Sequence, residues 1–418
     1  MRVIFVTDSY FPKPSPNALC VSKLKGEFER RKIDVHIVAL RTFDRETILV
    51  PDNNSVTFVE PNRAYSALIQ ANTSGDSKKI ARLSKLFRLR GAVYGLFWPL
   101  MSLRHLNNYV NALRHVLDQS DEETVVIGVY KSLEAALAGA IVKKTYSKAF
   151  YILYTLDAVS GSIIPTIYGR RTIAMNSIRR WEKRLFGSYD MIYLMESHRD
   201  YYSNVNYDWC REKMRFVDIP LLYKAEKEDN SDTLKGAKRL IYTGYLSRTA
   251  ANPIYFLDML DNIGDLNISV DFYGKCSDAE ITARIERSPY AEYHGPVPAE
   301  MIPQIQNQAT ALLNFGNDTP CAIPCKIFEY FSTGKPVISM FKIDDDPSLP
   351  YMKAYREALI LDERLSIEDN IQSLKEFLIR GHQIITPEEI QRSFSENTPG
   401  ATADSIIRDY REWQQQNR

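Results

Sequence analysis

Cysteine is scarce in this chain. Its five cysteines, Cys20, Cys210, Cys276, Cys321 and Cys325, are odd in number and widely spaced, and no C-x-x-C occurs. That argues against a disulfide framework or a zinc site and for a reducing compartment. The nearest pair, Cys321 and Cys325, has no His or Cys partner close by and reads as packing residues. Net charge is nearly absent too: 53 basic side chains against 52 acidic ones leave +1, which speaks against a general nucleic-acid binder. Long apolar runs are missing. The most apolar uncharged stretch, Gly91 to Leu103, falls short of the ~20 residues that a membrane-spanning helix needs and contains Pro99. The opening MRVIFVTDSY reads as a buried strand, not as a signal peptide, so a cytoplasmic protein is expected. Neither a short-period repeat nor a low-complexity tract occurs.

What is present has the balance of a globular chain, 44% hydrophobic and 25% charged. Its 418 residues suit two domains that each bury a core. Val3 to Thr7 and Val35 to Leu40 are short β-branched runs, and between them Val21, Leu24 and Phe28 recur at helical spacing. Strand, loop, helix and strand make a βαβ unit and imply a parallel sheet. Further strands are predicted at Val56–Glu60, Thr124–Tyr130, Phe150–Thr155 and Met191–Leu194, with a helix over Leu133–Lys144. A polar stretch from Asp218 to Asp232 reads as a linker. The pattern then restarts, with strands at Arg239–Thr243, Ile268–Tyr273, Ala311–Phe315, Pro336–Met340 and Ala358–Leu361. Helices are expected near Pro253–Asn262, Asp278–Arg287, Ala299–Asn307, Pro324–Thr333 and Ile367–Ile379. This predicts two doubly wound Rossmann-like α/β domains, 1–222 and 223–402, with a cleft between them. A last helix over 403–418, anchored by Ile406, Ile407, Tyr410 and Trp413, is free to dock on either domain. Ligands of such sheets bind beyond the carboxyl ends of the strands.

The segment Cys321 to Met340, CAIPCKIFEYFSTGKPVISM, carries the most chemistry. Pro324 suits the first position of a helix and Gly334 the position just past its end. A helix N-terminus is suited to a pyrophosphate, and Lys326 in the first turn would add a full charge. Glu329, one turn on and on the same face, would accept two hydrogen bonds from a ribose diol. Taken alone, Lys326 and Glu329 fit a surface ion pair of little worth equally well.

The stretch PCKIFEYFSTGKPVI resembles the donor-site motif P-S-K-x-x-E-Y-x-A-x-G-K-P-V-I of group 1 glycosyltransferases, which have the GT-B fold. MRVIFVTDSYFPKPSPNA resembles that family's first strand and glycine-containing loop. RLIYTGYLSR is similar to the first strand of its second domain, and AEYHGPVPAEMIPQIQNQATALLNF to the strand, H-G turn and helix that hold the base. The resemblance implies a retaining glycosyltransferase that transfers a hexosyl or N-acetylhexosaminyl group from a nucleotide-diphosphate sugar to a saccharide or lipid-linked acceptor. It implies that Glu329 binds the ribose hydroxyls and that Lys326 and Arg248 neutralise the diphosphate. Cys325 and Ile327 would flank that site. Backbone groups around Gly295, Pro296 and Val297 would hold the base, and Ser15, Pro16 and Asn17 would approach phosphate or sugar from the first domain.

Three departures stand out. A second glutamate that the family often carries eight positions before the ribose-binding one is here Cys321. Paired glycines of the first loop are replaced by Pro14-Ser15-Pro16-Asn17, which restricts backbone approach. A frequent His-Asp pair is Leu156-Asp157, leaving Asp157 as the candidate carboxylate near acceptor or transferred sugar, with a helix or turn cap as its other reading. Asp344, Asp345 and Asp346 read as a solvated loop rather than a metal motif, so no cofactor and no obligatory metal are expected. Lys78 to Arg90, KKIARLSKLFRLR, holds six basic residues and no acidic one. With Ile80, Leu83 and Phe87 as an apolar stripe leading to Tyr94, Phe97 and Trp98, residues 78–104 would form either an interfacial helix on anionic lipid or a surface helix packed on the sheet. The protein would then be cytoplasmic and peripheral on the inner face of a membrane. Two other functions suit the same reading: a sugar-nucleotide 2-epimerase on the same fold, and a degenerate, non-catalytic partner subunit.

Overall fold

The computed structural model describes residues 1–12, 14–44, 55–96, 101–130, 132–161, 171–223, 238–248, 251–264, 266–318, 320–321 and 323–417, with backbone alone for 90–96 and 171–174. The chain forms two units. One is Met1–Pro220 together with Pro399–Arg418, and the other is Leu221–Thr398. The sequence placed these boundaries after residues 222 and 402. Most of the expected linker, 224–232, lies outside the described residues.

In the first unit the elements run β1 (Arg2–Ser9), α1 (Pro16–Arg30), β2 (Asp34–Leu40), β3 (Val56–Val59), α2 (Arg63–Ser74), α3 (Ser77–Leu96), α4 (Leu103–Leu117), β4 (Thr124–Tyr130), α5 (Leu133–Val142), β5 (Phe150–Thr155), α6 (Arg171–Gly187), β6 (Met191–Met195), α7 (Arg199–Tyr202) and β7 (Met214–Val217). The strands make one parallel sheet in the order β3-β2-β1-β4-β5-β6-β7. Val3 to Val6 on β1 and Val125 to Ile127 on β4 are completely buried, the continuous apolar run that a strand covered on both faces needs. Helix α1 opens as its sequence dictates. Ser15 caps it by accepting from the Ala18 N–H at 3.1 Å, and Pro16 takes the first turn, where its missing N–H costs nothing. Strand β7 was not foreseen. It is a four-residue edge strand with a single buried residue, Met214, too short and too polar to show in the pattern.

The second unit runs β8 (Lys238–Thr243), α8 (Ile254–Asp261), β9 (Ile268–Tyr273), α9 (Ala279–Glu286), β10 (Ala291–Gly295), α10 (Ile302–Asn307), β11 (Ala311–Phe315), α11 (Lys326–Ser332), β12 (Val337–Phe341), α12 (Leu349–Ala354), β13 (Ala358–Asp362), α13 (Ile367–Ile379) and α14 (Pro387–Ser393). Its parallel sheet has the order β10-β9-β8-β11-β12-β13. One face buries Leu240, Tyr242, Phe272, Leu313 and Phe315 against α8 and α13 residues such as Phe256, Leu260, Leu374 and Leu378. Two expectations shift. The helix expected over Ala299–Asn307 is a 3-10 turn, Ala299–Met301, running into α10. Helix α11 starts at Lys326 with Cys325 as its cap position, so Pro324 precedes the helix instead of opening it.

A last helix, α15 (Pro399–Asn417), starts four residues earlier than expected and packs within the first unit. Ile406 and Tyr410 are buried, while Ile407 and Trp413 are half-buried. The Trp413 ring lies 5.4 Å from that of Phe150, and Tyr193 donates to the buried Asp409 carboxylate at 2.7 Å. Among the described residues no helix is long and apolar enough to cross a membrane, and the five cysteines are unbridged.

Candidate active site at the strand ends of the second unit

The strand order of the second unit reverses between β8 and β11. In an open parallel sheet, that reversal leaves a crevice beyond the carboxyl ends, because the chain leaves the two strands toward opposite faces. The loop after β8 begins at Gly244, and the loop after β11 leads to α11. Their meeting point is Lys326.

The Lys326 ammonium lies 3.9 Å from the centroid of the Tyr242 ring and donates to the Tyr242 hydroxyl, which in turn donates to the Tyr245 carbonyl at 2.8 Å. A β-carbon on Gly244 would sit 2.5 Å from the Lys326 Nζ, so only glycine lets the ammonium lie against the strand end. Gly274, just past β9, has φ +129, and a β-carbon there would come within 1.9 Å of the Gly244 carbonyl oxygen. The Gly274 N–H donates to the carbonyl of Gly295 at 2.8 Å. Three successive strands thus end in glycines that let their loops run side by side. Lys326 as a residue keeps some exposure, but burial around its ammonium pushes the pKa down from the ordinary 10.5 to about 7, opposed by the charges of Glu329 and Cys325. A cation held where solvation is poor binds an arriving anion strongly, because little water must be removed.

Glu329 lies three residues on, half-buried. Burial, and then the charge of Glu329, raise the pKa of Tyr223. Tyr330, completely buried, locks α11 to β8: its hydroxyl accepts from the Thr243 N–H at 3.0 Å and donates to the Thr243 carbonyl at 3.2 Å. Ile327 is also completely buried and anchors the helix, while Cys325 is half-buried at the cap. The first turn of α11 offers fewer free N–H groups than the sequence suggested. Ile327 N–H donates to the Pro324 carbonyl at 3.0 Å and Phe328 N–H to that of Cys325 at 3.4 Å, so positive charge here rests on Lys326 more than on the helix end.

Gly295 joins this group through Gly274, with Pro296 exposed and Val297 half-buried just beyond it. Arg248 lies in the loop after β8 and is half exposed, with its guanidinium turned to the start of α9. It donates to Asp278 at 2.6 Å and also to Glu280. The first unit holds the other candidates. Ser15 caps α1 and donates to Asp8 at 2.7 Å, Pro16 follows it, and Asn17 is buried with its amide donating to the Tyr130 carbonyl at 3.3 Å. Asp157 occupies the bend directly after β5 and is half-buried.

Sequence reasoning missed Tyr242, Gly244, Gly274 and Tyr330 as parts of this site. The signal was available: YTG, YGK and YHG each place a glycine at the carboxyl end of a strand. It also misread the aspartate run. Asp344 and Asp345 are exposed, but Asp346 is buried and accepts from the Ser348 N–H and hydroxyl at 2.8 and 2.6 Å; burial raises its pKa. Among the described residues, one trio has ligand-like spacing, Asp271, Glu292 and His294. Arg239 Nε sits 2.6 Å from the Asp271 carboxylate, so that member of the trio already has a cationic partner.

No protein-family model matches the chain, and no curated protein sequence does. Solved structures do match along their whole length. The apo form of the lipopolysaccharide outer core galactosyltransferase WaaB shares 13% identity at a TM-score of 0.57, over 98% of this chain and 100% of that one. Sucrose-phosphate synthase from Thermosynechococcus elongatus shares 10% at 0.64, over 99% of both. A UDP-forming α,α-trehalose-phosphate synthase from Burkholderia xenovorans, in complex with glucose-6-phosphate, shares 11% at 0.61, over 98% and 100%. Matches at identities this low establish the fold alone. The chain has the GT-B fold, with two doubly wound Rossmann-like units.

Proposed function

We propose that this protein is a glycosyltransferase that moves a sugar from a nucleotide-diphosphate sugar to a saccharide or lipid-linked acceptor. One observation carries the reading. Lys326, with its desolvated ammonium, and Glu329, one helical turn away, stand at the glycine-lined switch point of the second sheet. A diphosphate against the lysine and a ribose diol against the carboxylate fit that spacing. The PCKIFEYFSTGKPVI resemblance to group 1 glycosyltransferases supports it, as does the fold shared with the galactosyltransferase and the sugar-phosphate synthases.

In the proposed reaction the bond from the anomeric carbon to the diphosphate breaks and a bond to the acceptor oxygen forms. Negative charge gathers on the leaving diphosphate, and a preorganised cation stabilises it there without having to reorganise. Lys326 supplies that cation, and Gly244 lets its ammonium lie against the strand end. Arg248, half exposed itself, reaches the phosphates by exchanging half-buried Asp278 and exposed Glu280, a step of modest cost for an ion pair that water reaches. The acceptor oxygen attacks from the face that the diphosphate leaves and gives its proton to it, so the anomeric configuration is kept and no protein carboxylate need act as nucleophile. Cys321, where relatives of the resembled family often have glutamate, is then compatible with turnover. Asp157 is assigned to the acceptor or the transferred sugar. The transferred group is a hexosyl or N-acetylhexosaminyl unit, and no divalent metal is required.

Calorimetric titration with uridine, guanosine and adenosine diphosphates and their sugars tests this. At least one is expected to bind at micromolar concentration, and Glu329→Ala should weaken it about 100-fold, the worth of two hydrogen bonds to a charged group at about 1.5 kcal/mol each. Wild-type protein that binds none of them would sink the proposal. Release of free nucleoside diphosphate on addition of acceptor separates turnover from a purely binding role.

A further inference from the structure

Helix α3 stands apart from the rest of the first unit. Its main packing partner is α2, with the Phe87 ring edge-on to Tyr65 at 6.2 Å. Ile80, Leu83 and Phe87, the stripe that the sequence offered to lipid, face this way and are half-buried. The opposite side is exposed and carries Lys78, Lys79, Arg82, Lys85 and Arg88. Among the described residues, none of these five is paired with a carboxylate. The nearest acid, Asp76, is used locally: its side chain accepts from the Lys79 N–H at 3.0 Å at the start of the helix. Two lysines in a first turn also oppose the helix dipole, so the cluster does not serve the stability of α3.

Among these cations stand two large apolar side chains. Leu86 is 53% exposed and Leu89 is 65% exposed. At about 100° per residue, Leu89 falls between Lys78 and Arg82, and Leu86 beside Lys79. A chain with 53 basic and 52 acidic side chains therefore concentrates unpaired positive charge and solvent-exposed leucine on one helix face. That combination is costly in water and favourable at one surface, where cations meet anionic headgroups and leucines enter the acyl boundary. Nucleic acid would satisfy the charges and leave the leucines exposed, and a second copy of the chain would present the same repelling charge.

We infer that the exposed face of α3 docks on an anionic lipid bilayer, with Leu86 and Leu89 entering the headgroup boundary and Lys78, Lys79, Arg82, Lys85 and Arg88 pairing with lipid phosphates. The inference rests on the transferase reading only for its use, which is to hold the enzyme near a lipid-linked acceptor. Vesicle binding needs neither substrate, so its failure would leave donor binding intact.

The test is co-sedimentation of the full chain with vesicles of phosphatidylcholine alone and of phosphatidylcholine with 30% phosphatidylglycerol. Binding to the anionic vesicles is expected, with little to the neutral ones. Each basic residue contributes roughly fivefold to partitioning, so K78E/K79E/R82E/K85E should lose at least about 100-fold. L86S/L89S should lose about tenfold and become more salt-sensitive, because the screened electrostatic part would then act alone. Both variants should keep the wild-type melting temperature and nucleotide affinity, since both sets lie on the exposed face of α3. Absence of wild-type binding, equal binding of the charge-reversed variant, or retention on duplex DNA and not on vesicles would each overturn the inference. Unchanged binding of L86S/L89S would remove the leucines from it.

Discussion

The two sheets of this protein reverse their strand order at equivalent places, between β1 and β4 and between β8 and β11, yet they use their polar residues in opposite ways. Around the strand ends of the first unit the polar groups are consumed internally. Ser15 and Asn17 close on Asp8 and Tyr130. After β5, Glu182 of α6 is buried and accepts from the Ser160 N–H and hydroxyl and from Tyr202 and Tyr207, all between 2.8 and 3.1 Å. Desolvation raises its pKa, and these hydrogen bonds oppose the rise. At the second switch point a desolvated cation is held by a tyrosine ring and hydroxyl. One arrangement fixes a loop, while the other keeps a charge ready. Buried polar networks rigidify only when every member is satisfied, and an ammonium short of solvent makes a binding site because it is not.

Breaking the first arrangement should have the largest effect. Glu182→Ala leaves two tyrosine hydroxyls, a serine and an N–H without their acceptor and should cost about 3 kcal/mol. The outcome is a lower unfolding temperature for the first unit with unchanged nucleotide affinity. Lys326→Met addresses the other side. It should weaken nucleotide-diphosphate binding about 100-fold, near 3 kcal/mol for a charge-assisted contact, while the melting temperature holds or rises because a poorly solvated ammonium is gone.

Gly274→Ala should cost about 2 kcal/mol and weaken donor binding as well, because the new methyl displaces the Gly244 carbonyl; thermal unfolding and titration together would show it. The smallest effect, taken per pH unit, is a pH dependence. Burial pushes the Lys326 ammonium down from 10.5 to about 7, so above pH 7 protein without donor holds a neutral amine there. Binding a diphosphate requires that proton back. Affinity for a nucleotide-sugar, whose phosphates stay ionised throughout, should therefore fall between pH 7 and 9 by at most about tenfold per unit. Lys326→Met should flatten the profile. A slope that persists in that variant would assign the titration elsewhere.

Much of this was legible in the residues. The strands at Thr124–Tyr130, Phe150–Thr155, Ile268–Tyr273 and Ala311–Phe315, and the helix at Ile367–Ile379, were placed to the residue, since buried β-branched runs and a 3.6-residue apolar stripe are local signals. Lys326 and Glu329 were legible through spacing on one helix turn. Their setting was not. The approach of Gly274 to Gly244 joins residues thirty positions apart, and Tyr242 reaches Lys326 across 84. Helix α3 shows the same limit. Its charge was plain, but which apolar residues faced solvent depended on α2 covering Phe87.

By itself, then, the sequence determined the element types, the two-unit α/β plan and the helix turn that carries a lysine and a glutamate, because each follows from contacts between near neighbours in the chain. Tertiary structure alone decided that the lysine would lie against a strand-end glycine and lose its solvent, that Asp346 would be buried, and that Leu86 and Leu89 would be left outside. Solvation of a side chain is set by whatever the rest of the chain brings beside it, and local sequence does not specify those neighbours.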